Sequence, residues 1–472
     1  MAQELRFPDN FIWGTATASY QIEGATDEGG RGDSIWDAFA RTPGKVINMD
    51  TGARADDHYH RYKEDVQHMK SMGLKNYRFS IAWPRIIPAG VGAVNEEGVA
   101  FYNNLINELL ANGIEPLITL YHWDLPLALQ TEYDGWLGGE FIQNAFVEYA
   151  RVCFDRFGDR VKRWLTFNEP YCATYFSYGT GIHAPGRKHK GSTEAYIAAH
   201  NMLLAHAKAV DLYRKEFQPR QNGAVGITLV SEWREPAAAT DPQEQKRNAE
   251  AAERAVLFMV GWFADPVYLG DYPQVMKDCC GDRLPSFTDD EKKLLKGSSD
   301  FFGLNHYSTF YTRPSKAYLQ GVKNETTDIT LDEGAVFTSD PSWEKTEMGW
   351  NVVPWGLEKI LLWVQNRYNC AGGIYITENG CAVADKTKED AMNDDFRVNF
   401  YKAYLSHVHK AIQQGADVRG YYAWSLMDNY EWSEGYAKRF GLIWVNYETM
   451  ERTLKKSAHA YSDIVRKNAV TV

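Results

Sequence analysis

The chain has 472 residues, of which 51 are basic and 62 acidic, giving a formal net charge of −11. Such a balance disfavours non-specific binding to nucleic acid or to an anionic membrane surface, and no stretch approaches the roughly 18 apolar residues of a membrane span. Aromatic residues make up 14% of the chain, with 15 tryptophans, which suits a large core or flat faces for stacking sugar rings.

In chain order, short β-favouring runs alternate with longer amphipathic ones. Strands are expected at 12–17, 76–80, 115–120, 163–167, 224–229, 301–304, 374–377 and 420–425. Helices are expected at 65–72, 98–111, 141–157, 193–217, 244–263, 355–368, 394–414 and 455–466. The segment 98–111 shows the pattern well: Val99, Tyr102, Leu105, Ile106 and Leu109 fall on one face, and Gly113 follows as a stop. Strand–helix alternation implies parallel strands joined by right-handed crossovers. Eight such units without a linker predict an α/β fold, a (β/α)8 TIM barrel forming a single domain over 1–472, with elaborated loops at the C-terminal face of the strands. No G-x-G-x-x-G follows the first strand, which counts against a dinucleotide fold.

Six cysteines, at 153, 172, 279, 280, 370 and 381, form no metal-type pair. They read as free thiols of a reducing compartment. The opening residues lack a basic-then-apolar leader. A cytoplasmic protein is the expectation, and a trimmed secreted chain would look the same.

Two strand ends carry chemistry. Leu165-Thr166-Phe167-Asn168-Glu169-Pro170 closes the fourth expected strand, and Ile374-Tyr375-Ile376-Thr377-Glu378-Asn379-Gly380 closes the seventh. In a barrel, catalytic groups sit at the C-terminal ends of strands. A pair of carboxyl groups facing each other is the minimum needed to cut a glycosidic bond. Glu169, beside a second carboxylate and apolar rings, should have a raised pKa and act as general acid. Glu378 must stay ionised, and Arg78 at the end of the second strand is its expected partner. Singly, either glutamate could be a surface ion pair, His122 a satisfied core histidine, and Trp424 or Trp432 simple core.

These motifs resemble those of glycoside hydrolase family 1, the retaining β-glucosidases. Thr166-Phe167-Asn168-Glu169-Pro170 looks like the acid/base motif and Ile376-Thr377-Glu378-Asn379-Gly380 like the nucleophile motif. Phe11-Ile12-Trp13-Gly14-Thr15-Ala16-Thr17-Ala18-Ser19-Tyr20-Gln21-Ile22-Glu23-Gly24 is similar to the family's N-terminal signature. The resemblance implies a glycone set of Gln21, His122, Trp123, Asn168, Asn305, Tyr307, Trp424, Glu431, Trp432 and Phe440. In it Tyr307 bonds the nucleophile, and Trp424 forms the floor beneath the sugar. Tyr171, Cys172, Phe176, Trp343 and Trp350 are expected at the aglycone rim. Glu431 would repel a sugar phosphate, so an unphosphorylated glycone is implied. Glu169 counts against the thioglucosidase branch, which carries Gln at the acid position.

The expected activity is hydrolysis of terminal non-reducing β-D-glucosyl residues from cellobiose, short oligosaccharides, or aryl and alkyl β-glucosides. It would run by double displacement, with side activity on β-galactosides or β-fucosides and with transglycosylation. No metal or organic cofactor is needed, and the partner is a small carbohydrate. An endo-acting β-glycanase on a similar barrel is the alternative, and a non-catalytic carbohydrate-binding barrel a more distant one.

Overall fold

All eight expected strands form, and they close on themselves. The structure, a computed structural model, describes residues 3–188, 191–322, 324 and 328–472. The barrel strands are Ile12–Ala16, Asn76–Ser80, Glu115–Tyr121, Arg163–Asn168, Ala224–Val230, Phe302–Asn305, Ile374–Asn379 and Val418–Trp424. Each pairs in parallel with the next, and the eighth returns to the first through Gly420↔Ile12 to Trp424↔Ala16.

The second barrel strand shows how the sequence dictates this. All five of its residues are buried, yet three are polar. Tyr77 and Phe79 stack with centroids 5.3 Å apart on the helix-facing side. The alternate side chain Arg78 therefore points into the barrel, where it reaches groups on the third, fourth and seventh strands.

Three helices depart from expectation. The first begins at His58, not 65: Tyr59 and Tyr62 carry the spacing of Val66 and Met69 back by two turns and pack on Phe101. The segment expected as one helix over 244–263 is α-helical from Pro242 to Val256, capped by Asp241, whose carboxylate accepts from the Gln243 and Glu244 N–H groups. It then passes through a π-turn at Leu257–Gly261. Nearly every residue there is apolar, so the extra residue of a π-turn leaves no mark in the pattern. The segment 193–217 likewise turns to π geometry at Tyr213–Phe217.

Among the elements not anticipated, one borders the site. A three-stranded sheet of Trp233–Pro236, Thr309–Pro314 and Ala335–Thr338 grows from the segments after the fifth and sixth barrel strands. Outside the barrel, Glu4–Arg6 pairs antiparallel with Ala469–Thr471. All six cysteines are unpaired. Among the described residues no helix is long and apolar enough to cross a membrane.

Candidate active site

Glu169 does not continue the fourth strand. Its backbone turns to φ +45°, the left-handed region, and Pro170 opens the short helix Pro170–Thr174. Pro170 cannot donate to a strand ladder, and the Glu169 N–H is taken by Thr228 O at 2.9 Å. Glu378 lies inside the last turn of the seventh strand, which runs two residues past the expected 377. There the pairing with the sixth strand slips, so that Glu378 stands opposite Asn305.

The environments of the two carboxyl groups differ. Glu378 Oε1 accepts from Arg78 Nη1 at 2.6 Å, and its Oε2 accepts from the Tyr307 hydroxyl at 2.6 Å. Arg78 also donates through Nη2 to Asn168 Oδ1 at 2.7 Å, and that oxygen accepts from Asn305 Nδ2 at 3.1 Å. Two donors on one oxygen fix the Asn168 amide, so Nδ2 faces His122 Nε2, 2.9 Å away. One Nδ2 hydrogen is left for a ligand hydroxyl. The same contact makes the His122 Nε2 an acceptor, consistent with a neutral imidazole whose pKa is held well below its usual value by burial and by Arg78. Glu169 Oε1 accepts from Asn305 Nδ2 at 2.8 Å.

Burial first, then the charge of Glu378, push the Glu169 carboxyl up to about 8. Burial leaves Glu378 raised as well, but Arg78 and the hydrogen bond from Tyr307 oppose that rise, and Glu169 has no such opposing cation in contact among the described residues. The pair therefore holds one proton near neutrality, and the proton belongs on Glu169. Glu431 is pushed up to about 8 by burial and by the field of Glu378.

A cavity of about 740 Å³ connects these groups. Of the expected set, His122, Trp123, Asn168, Glu169, Tyr307, Glu378, Trp424, Glu431, Trp432 and Phe440 line it. Trp123 packs on Trp432 at 4.6 Å, and its Nε1 donates to Asn168 O at 2.9 Å. Gln21, Arg78 and Asn305 are wholly buried behind this wall. Gln21 Nε2 lies 3.3 Å from Glu431 Oε2 and 3.0 Å from Asn429 Oδ1, while its Oε1 has no partner among the described residues.

The expected rim is only partly assembled. Tyr171, Cys172, Phe176 and Trp350 line the cavity, but Trp343 is not among the lining residues. Its ring is taken up by Tyr311, stacked at 4.8 Å, and by Trp355. Trp350 leans on Tyr307 at 5.2 Å and on Phe440 at 5.9 Å, so it borders the nucleophile side. Glu232, Arg234, Glu333 and Phe337 also line the cavity and were not foreseen. They belong to the unanticipated sheet and its approaches, and only the strand-like alternation of Trp233-Arg234-Glu235-Pro236 hinted at it. Among the described residues no group of three or more His, Cys, Asp or Glu could hold a metal ion.

The sequence pattern of glycosyl hydrolase family 1 matches residues 3–470. The chain belongs to this family. Among curated glycosyl hydrolase family 1 relatives, β-glucosidase 34 of Oryza sativa subsp. japonica is 44% identical over 480 residues, spanning 98% of this chain and 93% of its own. β-Glucosidase 1B of Phanerodontia chrysosporium is 46% identical over 469 residues, covering 96% of this chain and 84% of that one. A rice β-glucosidase mutant solved in a covalent complex with Glc superposes with a TM-score of 0.92 at 43% identity, covering 97% of this chain and 98% of the other. The family-1 β-glucosidase from Thermotoga maritima in complex with isofagomine lactam gives 0.90 at 41% identity, covering 99% and 100%. As a family member the chain is a glycosidase on a (β/α)8 barrel.

Proposed function

We propose that the enzyme is a retaining, exo-acting β-glucosidase that releases terminal non-reducing β-D-glucosyl units by double displacement. The observation that carries this reading is the unequal provision for two carboxyl groups on one cavity. Glu378 is charge-paired with Arg78 and bonded by Tyr307, while Glu169 has no cation in contact among the described residues and keeps a proton near neutrality. In the first step Glu378 attacks the anomeric carbon as Glu169 passes its proton to the leaving oxygen. The ester then formed removes the negative charge that helps raise Glu169. Glu169 ionises more readily and takes a proton from the incoming water, whose oxygen displaces Glu378.

The covalent Glc complex of the rice relative supports a glycosyl–enzyme of this kind here. Trp424, Trp432 and Phe440, each at most 5% exposed, close the inner end of the cavity, which favours an exo mode. Glucose is the favoured glycone, with galactose and fucose as poorer ones; the support for this is that Glu431 lines the cavity and Gln21, buried behind it, lies 3.3 Å from its carboxyl. The six unpaired cysteines suit a reducing compartment.

The test is chemical rescue. Glu378→Ala should lose hydrolysis of an aryl β-glucoside, and azide should restore turnover with an α-glucosyl azide as product. A β-azide, or activity left intact, overturns the assignment.

A further inference from the structure

Beyond the eighth barrel strand the chain makes a loop with a tight neck. The segments 425–428 and 440–443 run side by side. Leu442 N–H donates to Ser425 O, Asp428 N–H to Ile443 O and Ile443 N–H to Leu426 O, each at 2.9 Å. They approach so closely that a Cβ on Gly441 would stand 2.0 Å from the Asp428 nitrogen. The residues between, 429–440, supply Glu431, Trp432 and Phe440 to the cavity lining.

The neck is held by charge. Asp428 Oδ1 accepts from Gly441 N at 3.0 Å and from Lys455 Nζ at 2.7 Å, and its Oδ2 accepts from Arg439 Nη1 at 2.6 Å. One carboxylate thus gathers both sides of the neck and a lysine from beyond the hairpin of Ile443–Val445 and Arg452–Leu454. The backbone N–H of Lys455 bears on the neck as well, donating to Leu442 O at 2.9 Å. Lys455 Nζ also donates to Asp385, in the segment after the seventh barrel strand. Asp385 accepts in addition from Arg397 Nη1 at 3.3 Å, and Arg397 Nη2 donates at 2.9 Å to Arg439 O, the carbonyl next to Phe440. With Asp394, which pairs with Arg397, three carboxylates balance three cations.

Lys455, Asp428 and Arg397 are each 0% exposed. Neither they nor Asp385 and Arg439 are among the residues that line the cavity. A buried ion pair adds little net stability over apolar side chains of similar volume, because desolvation offsets the attraction. It does favour one arrangement, since any other leaves a buried charge or donor without its partner. Such a network suits a loop whose place must be exact better than it suits one that needs only to be stable.

We propose that Lys455, acting through Asp428, is a positioning residue for substrate binding. It sets the place of the loop that carries Glu431, Trp432 and Phe440, and so the shape of the pocket that takes the sugar. This rests on the β-glucosidase reading and adds to it a residue outside the cavity.

The experiment measures kcat, KM and melting temperature with 4-nitrophenyl β-glucoside as substrate. Lys455→Met leaves three carboxylates against two cations, so it should lower the melting temperature and raise KM. The double variant Asp385→Asn/Lys455→Met removes one charge of each sign and leaves two against two. It should recover most of the lost melting temperature, yet its KM should stay raised by about 10-fold or more, as a displaced binding wall requires. In both variants kcat should change less than KM, because Glu169, Glu378 and their hydrogen-bond partners are untouched. The double variant carries the test if Lys455→Met does not fold. A KM that returns to the wild-type value together with the melting temperature overturns the proposal, since Lys455 would then serve stability alone. The β-glucosidase reading fails separately, if the wild-type enzyme cleaves no β-glucoside at all.

Discussion

Asn305 donates its amide hydrogen to Glu169 Oε1 at 2.8 Å, which leaves Oε2 as the oxygen that carries the acid's proton. The amide is itself held, because Thr377 Oγ1 donates to its oxygen at 2.7 Å. The proton of the general acid is therefore assigned to one face of the carboxyl before any substrate arrives.

This bond lowers the Glu169 pKa against burial and the charge of Glu378, both of which raise it. Asn305→Ala should move the alkaline limb of the kcat/KM profile upward from its position near 8, because the ionised carboxyl loses a donor. Glu378→Gln should shift the ionisation of Glu169 the other way, since a raising charge is removed. Carbon-13 NMR of labelled glutamate would read this shift directly. A Glu169 titration that stays put in Glu378→Gln would sink the electrostatic account.

The acidic limb reports Glu378. Arg78 and Tyr307 both lower its pKa, so weakening either should raise the pH at which the nucleophile becomes protonated and narrow the bell. Tyr307→Phe removes one 2.6 Å bond and keeps the ring against Trp350. It should cost roughly 10- to 100-fold in kcat/KM, as loss of a hydrogen bond to a charged group does. Arg78→Lys should shift the limb further, because the one guanidinium bridges Glu378, Asn168 and Thr119 and an ammonium cannot reproduce that fork. Profiles whose acidic limb does not move in either variant would contradict these roles.

Stability should trade against catalysis. Glu169 and Glu431 are each raised from 4.5 to about 8 in the fold. A carboxyl raised on folding binds its proton more tightly in the native state, so native stability falls as pH rises from about 4.5 to about 8 and levels off beyond. Glu169→Gln and Glu431→Gln remove that penalty, so each should raise the melting temperature at pH 8 and show little gain at pH 4. The gain would be on the order of 1–3 kcal/mol. A melting temperature unchanged or lowered at pH 8 would contradict the burial argument.

Much of this was legible in the sequence where a local rule and a long-range need agree. Asn168-Glu169-Pro170 couples a strand end to a proline, so the turn and the carboxyl are read together. The eight strand runs are short and β-favouring and alternate with helical segments, and the structure finds all of them. The three-stranded sheet beside the cavity was legible only as a hint of alternation in its first strand. Trp233–Pro236 pairs with Thr309–Pro314, some 75 residues away, and nothing local marks that pairing. Trp343 shows the same limit from the other side: a tryptophan in a loop near the site reads as a rim residue until Tyr311 and Trp355 are seen to occupy its faces. The π-turn at Leu257–Gly261 was hidden because apolar residues surround it on both sides.

The order of strands around the barrel sets when the site comes into being. The strand Ile12–Ala16 borders Asn76–Ser80 on one side and Val418–Trp424 on the other, so one of its edges waits for a segment made some 400 residues later. Trp424 lies on that late strand, and Glu431, Trp432 and Phe440 follow it. A chain that has not closed this seam can place Glu169 and even Glu378, but it lacks Trp424, Glu431, Trp432 and Phe440 from the cavity wall. Ring closure is thus also the step that switches on substrate capture, and appearance of activity during refolding should time the joining of the barrel's last seam.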